Sequence, residues 1–157
     1  MKRVSTAMEQ ALVFLSRKDY SRRELKIALK KKGFSEAEIE ETVERLGEWG
    51  YVDDRVFAAS EIDRFLQAGK SRAFIKYRLE LSGVPALIIE EEMAKNYPPE
   101  KEEEVLRAWW SKLRGRLRGR EPVIKEKTRW ARKLLTAGFP RESVQACFEQ
   151  EQQDSDS

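Results

Sequence analysis

Ser21-Arg22-Arg23-Glu24-Leu25, followed by Leu29 and Gly33, returns fifty residues later as Ser71-Arg72-Ala73-Phe74-Ile75, followed by Leu79 and Gly83. A weaker third copy runs from Glu126 through Trp130 and Leu134 to Gly138. Beyond each glycine the register continues, with Phe34, Val84 and Phe139, then Ile39, Ile89 and Val144. Repetition at a period of about 50 residues marks an array of small helical units, each too small to bury a firm core alone. An array offers a long surface, and a long surface suits an extended partner better than a small substrate.

Helix punctuation sets the units. Thr6 and Glu9, Ser21 and Glu24, and Ser35 and Glu38 each have the spacing of a capping box. Gly33 and Gly50 stand where helices 2 and 3 stop. Asp53 is placed to cap helix 4, with Asp54 in its first turn favouring the helix dipole. Pro85 suits the start of helix 6, and Pro98-Pro99 is the clearest break. Helix 7 gathers Leu106, Trp109, Trp110, Leu113 and Leu117 in one apolar arc and is expected to end before Glu121. Helix 8 is expected to bury Ile124, Thr128, Ala131 and Leu135, and helix 9 to run from about Pro140 to Glu149. No period-2 segment is long enough for a strand. The expected fold is all-α: an elongated, curved array of tandem three-helix modules at 1–52, 53–98 and 99–149, with a disordered acidic tail at 150–157.

Composition narrows the function. Among 157 residues, 38% are charged, there is no histidine, and Cys147 is the only cysteine, so no internal disulfide can form. That composition fits a reducing cytoplasm, with Cys147 as a small apolar residue between Val144 and Phe148. No apolar run approaches the roughly 20 residues of a membrane span, and the basic start has no apolar core of a secretory signal behind it. No catalytic set is recognisable. Gly69-Lys70-Ser71 lacks the upstream glycine and strand of a phosphate loop, and Asp53-Asp54 are explained as cap and dipole partner without a metal. Neither an enzyme activity nor a cofactor, metal or small-molecule substrate is expected.

The cations carry the functional signal. Residues 107–133 hold eleven Lys or Arg against Glu121 and Glu126. Such segregation points to an anionic partner. On helix 2, Arg22, Arg23, Lys26 and Lys30 share one arc, and Arg72 with Lys76 stand one period later. Arg107, Arg114 and Arg118 would align on a helix, as would Lys125, Arg129, Arg132 and Lys133. The tryptophans could stack on bases, but at this spacing they read as core.

Across the first junction, Gly50-Tyr51-Val52-Asp53-Asp54-Arg55-Val56-Phe57-Ala58, then Arg64, Gly69-Lys70-Ser71, Ile75, Leu79 and Gly83-Val84, resembles the signature of the RecX family of bacterial regulatory proteins. Ser21, Glu24, Leu25, Leu29, Lys32-Gly33-Phe34, Ile39, Val43 and Leu46 are similar to that family's first module. Val52 stands where the family usually carries a bulkier aliphatic. The resemblance implies tandem three-helix modules and a partner, the RecA recombinase filament on single-stranded DNA. It further implies inhibition of the filament's ATP hydrolysis, strand exchange and co-protease action. In that frame Gly50, Tyr51, Asp53, Asp54, Phe57, Arg64 and Gly69 are mainly structural. The alternative reading is a stand-alone helical nucleic-acid-binding protein.

Overall fold

The structure, a computed structural model, describes residues 5–155. Within them lie nine helices and no strand: α1 (Ala7–Arg17), α2 (Arg22–Lys31), α3 (Glu36–Glu48), α4 (Asp54–Gln67), α5 (Arg72–Leu81), α6 (Ala86–Asn96), α7 (Pro99–Gly115), α8 (Ile124–Thr136) and α9 (Arg141–Ser155). The caps explain the starts. Thr6 and Ser35 accept from Glu9 N and Glu38 N, and Glu38 completes its box by accepting from Ser35 N at 2.9 Å. Asp53 accepts from Arg55 N at 2.8 Å and so begins α4.

The chain forms two compact units. The first comprises Met1–Glu61 and Arg78–Glu92, the second Ile62–Tyr77 and Met93–Ser157. In the first, α1, α2 and α3 close over Ala11, Leu25, Leu29, Ile39, Val43, Leu46 and Val52. Leu25 and Leu29 are the repeat's own apolar positions, four apart on one helix face. In the second, Leu106, Leu134, Ala137, Phe139 and Val144 form one cluster, and Leu113, Leu117 and Trp130 another.

A junction recurs in both units. Ser21 is fully buried at the start of α2; its Oγ accepts from Glu24 N and donates to Ser82 O at 2.5 Å. The next backbone amide, Arg22 N, donates to Asp54 Oδ1 at 2.9 Å. In the second unit Ser71 is again fully buried; its Oγ accepts from Phe74 N and its amide donates to Ala137 O at 3.0 Å. Arg72 N then donates to Glu102 Oε2 at 2.7 Å. Each time, a helix N-terminus deprived of water receives a carboxylate from another helix, which satisfies an orphan donor and complements the dipole. Asp54→Ala is therefore expected to cost about 1–3 kcal/mol in urea denaturation. Asp54→Asn keeps an acceptor in place and should cost less. Equal losses would assign the effect to charge rather than to the hydrogen bond.

The helix boundaries of the sequence reading need two corrections. The buried face of α8 is Trp130 and Leu134, while Ile124 is 82% exposed and Leu135 is exposed as well. The helix starts after Val123, one turn ahead of the repeat, and Ile124 at its first position faces solvent. Its start is held by Glu126, which accepts from Val123 N and takes a bidentate pair from Arg120 at 2.6 and 2.9 Å. Arg120 holds that carboxyl down to about 2. The second correction concerns the expected disorder from residue 150. α9 continues to Ser155, and Glu151 turns its carboxylate onto Arg114. Residues 156 and 157 lie outside the described part.

Candidate anion-binding surface

Much of the α2 stripe is already engaged. The Arg22 guanidinium lies against Gly47 of α3, so closely that a Cβ there would overlap it. The Arg23 stem crosses Gly83 in the same way. Lys26 pairs with Glu40 at 2.9 Å, and Lys30 is exposed. One period on, Lys76 is half-buried and Arg72 donates from Nε to Tyr97 O at 2.7 Å. These cations hold helices together as well as facing outward.

Arg107, Arg114 and Arg118 do not share a helix face. α7 ends at Gly115, and Arg118 sits in the following turn at φ 51. Arg107 pairs with Glu103 at 3.5 Å in open solvent, a contact of little energetic weight. Arg114 is shared between Glu121 at 3.4 Å and Glu151. Burial pushes the Glu151 carboxyl up, against the pull of Arg114. Burial also pushes the Cys147 thiol up, which suits a packing role.

On α8 the outcome differs. Lys125, Arg129, Arg132 and Lys133 are all exposed. Three of them, Arg129, Arg132 and Lys133, line a groove of about 370 Å³ together with Lys70 and Trp109. Ala68, Thr136 and Ala137 complete the lining, so four cations face it and no acidic side chain does. Lys125 lies outside the groove. The supports of this groove come from distant parts of the chain. Tyr97, fully buried, donates its hydroxyl to Lys70 O at 2.9 Å and fixes the backbone there. That burial also pushes the phenol's ionisation upward. The Trp109 indole donates to Gly69 O at 2.9 Å, and Lys133 Nζ lies 4.9 Å from its ring. Four like charges converging on one concave surface raise the local potential for an anion beyond what any one of them supplies.

Sequence reasoning placed Arg129, Arg132 and Lys133 on one face but not Lys70, Tyr97 or Trp109 beside them. Lys70 read as a helix junction and Trp109 as core. Trp109 is half-buried; it packs against the cluster of Leu106 and Leu134 and lines the groove as well. Of the motif residues, Gly50 ends α3, Phe57 is buried, Tyr51 is exposed and Arg64 lies over the Phe65 ring at 4.2 Å. Asp53 and Asp54 both accept from backbone amides, as caps do.

The fold and this groove define a helical-repeat protein with a cationic groove. A family model described as RecX, first three-helix domain, matches residues 7–46. The chain is 35% identical over 139 residues to "Regulatory protein RecX" of Caldanaerobacter subterraneus subsp. tengcongensis, covering 88% of this chain and 67% of that protein. It is 31% identical over 145 residues to "Regulatory protein RecX" of Geobacillus kaustophilus, covering 91% of this chain and 53% of that one. It thus spans between about half and two thirds of these two relatives. The fold is similar to the crystal structure of RecX from Lactobacillus salivarius, with a TM-score of 0.73 at 21% identity over 92% of this chain and 93% of that one. The chain belongs to the RecX family of regulatory proteins. Among the described residues no helix is long and apolar enough to cross a membrane.

Proposed function

We propose that this protein binds the RecA filament on single-stranded DNA in the cytoplasm and mainly inhibits its ATPase, strand-exchange and co-protease activities. The observation that carries the reading is family membership across most of the chain. The cationic groove on α8 supports it, since a filament on DNA offers phosphates and acidic protein surface. The binding chain would be made of three modules, at 1–52, 53–98 and 99–149. A modulator shifts a filament only as far as it binds two filament states unequally. Here the unequal contacts would be the cations of the groove on phosphate. No catalytic role is assigned to any residue.

The test is RecA ATPase on single-stranded DNA with and without the protein. A dose-dependent fall is expected. Charge reversal of Lys125, Arg129, Arg132 and Lys133 together should raise the protein concentration for half-inhibition by at least about tenfold, roughly 1.4 kcal/mol of binding. Helicity should be unchanged, because all four side chains are exposed. If the reversed variant inhibits as well as the parent at physiological salt, the cationic mechanism fails. If the parent leaves the ATPase untouched, the filament reading fails altogether.

A further inference from the structure

We infer that Trp109 and its surroundings form a subsite for one nucleotide unit of single-stranded nucleic acid, with the phosphate among the cations and the base against the indole. The inference rests on the function proposed above and gives its DNA contact a place. Trp109 is the shared wall of two grooves. One is the cationic groove, with Lys70, Arg129, Arg132 and Lys133. The other, of about 360 Å³, is lined mainly by Leu66, Ala68, Val105 and Ala108, with Gln67 and Lys112 at its polar part. An anion-binding surface alone needs no such neighbour. A nucleotide needs both, since it joins a charged phosphate to a flat, weakly polar ring within one monomer.

The indole is suited to the role. Its hydrogen bond to Gly69 O fixes the ring, so stacking on it costs little further ordering. Lys133 beside the ring couples the cation and the aromatic surface. Lys70 stands on a backbone tied by Tyr97. Thr136 adds a hydroxyl to the cationic groove. An acidic polypeptide would satisfy the cations but leave the indole and the second groove unused, so nucleic acid is the better fit. Stacking on aromatic side chains tolerates any base, so no sequence preference is expected.

Fluorescence anisotropy with the whole chain and no recombinase tests this. The probes are a labelled oligo(dT) strand, an abasic strand of equal length, and polyglutamate as competitor. The parent should bind oligo(dT) about 5- to 100-fold tighter than the abasic strand, the effect of one stacked base. The combined variant Arg129→Gln, Arg132→Gln, Lys133→Gln should bind weakly, with the slope of log affinity against log salt reduced by about 0.7, the share of one lost phosphate contact. Lys30→Gln, which is not among the residues lining the groove, should bind like the parent. Circular dichroism of the variants should match the parent. Equal binding of oligo(dT) and abasic strands overturns the base subsite. So does displacement by polyglutamate as efficient as by unlabelled oligo(dT), or a triple variant that binds like the parent. These outcomes are independent of the ATPase assay. Failure there with oligo(dT) discrimination intact would sink the filament reading alone, and the reverse would sink the subsite alone.

Discussion

Trp130→Ala is expected to destabilise the protein by about 3–5 kcal/mol, while Ile124→Ala on the same helix changes stability by no more than about 0.5 kcal/mol. Both residues are large and apolar, and a reading of α8 by local periodicity makes Ile124 the core residue. The structure reverses them. Trp130 is 5% exposed and packs with Leu113 and Leu117. Its ring meets Trp110 edge to face at 5.5 Å, and Trp110 in turn meets Phe148 at 4.7 Å. Removing Trp130 therefore leaves a cavity that neighbouring rings cannot fill without losing their own contacts. Ile124 has no such neighbours to lose. Urea denaturation followed by far-ultraviolet circular dichroism measures both, free of the change in tryptophan emission. Comparable losses for the two variants would mean that α8 is rotated from the face described.

Gly138→Ala should cost about 2–5 kcal/mol, and Gly33→Ala, at the matching position of the repeat, only about 1–2 kcal/mol. Both glycines end a helix in the left-handed region, Gly33 at φ 91 and Gly138 at φ 96. A side chain in that region costs about 1–2 kcal/mol wherever it is placed. The difference comes from the surroundings. A Cβ on Gly33 meets nothing within 4 Å. A Cβ on Gly138 would overlap Ser71 Oγ and approach Phe74 Cβ at 2.9 Å. Ser71 cannot swing aside, because it is fully buried and its Oγ holds Phe74 N. Overpacking of that kind adds about 1–3 kcal/mol. The same denaturation experiment checks the pair. If Gly33→Ala proves as costly as Gly138→Ala, the penalty is one of backbone alone and the close junction at Ser71 is wrongly described.

The repeat by itself determined much of this protein. Leu25, Leu29, Ile75, Leu79, Trp130 and Leu134 occupy corresponding positions, and all six are buried. Ser35 with Glu38, Asp53, Gly33 and Gly50 mark helix ends where the structure has them, because capping is a contact between residues at most a few positions apart. What spans longer separations was not legible. Asp54 read as a partner of its own helix, yet it holds Arg22 N, thirty-two residues away. Glu151 read as part of a loose tail, yet it closes on Arg114. Arg118 read as a member of a helical stripe, yet the helix ends at Gly115. The groove shows the division most clearly. Periodicity placed Arg129, Arg132 and Lys133 on one face of α8, as a rigid helix must. Only the packing of α7 and α8 against the start of α5 added Lys70 and Trp109 to them. Local sequence determines which face a side chain occupies, through the fixed rotation of the helix. Which side chains share a cavity depends on how separate helices meet, and that is set by the sum of many weak apolar contacts that no short stretch of sequence contains.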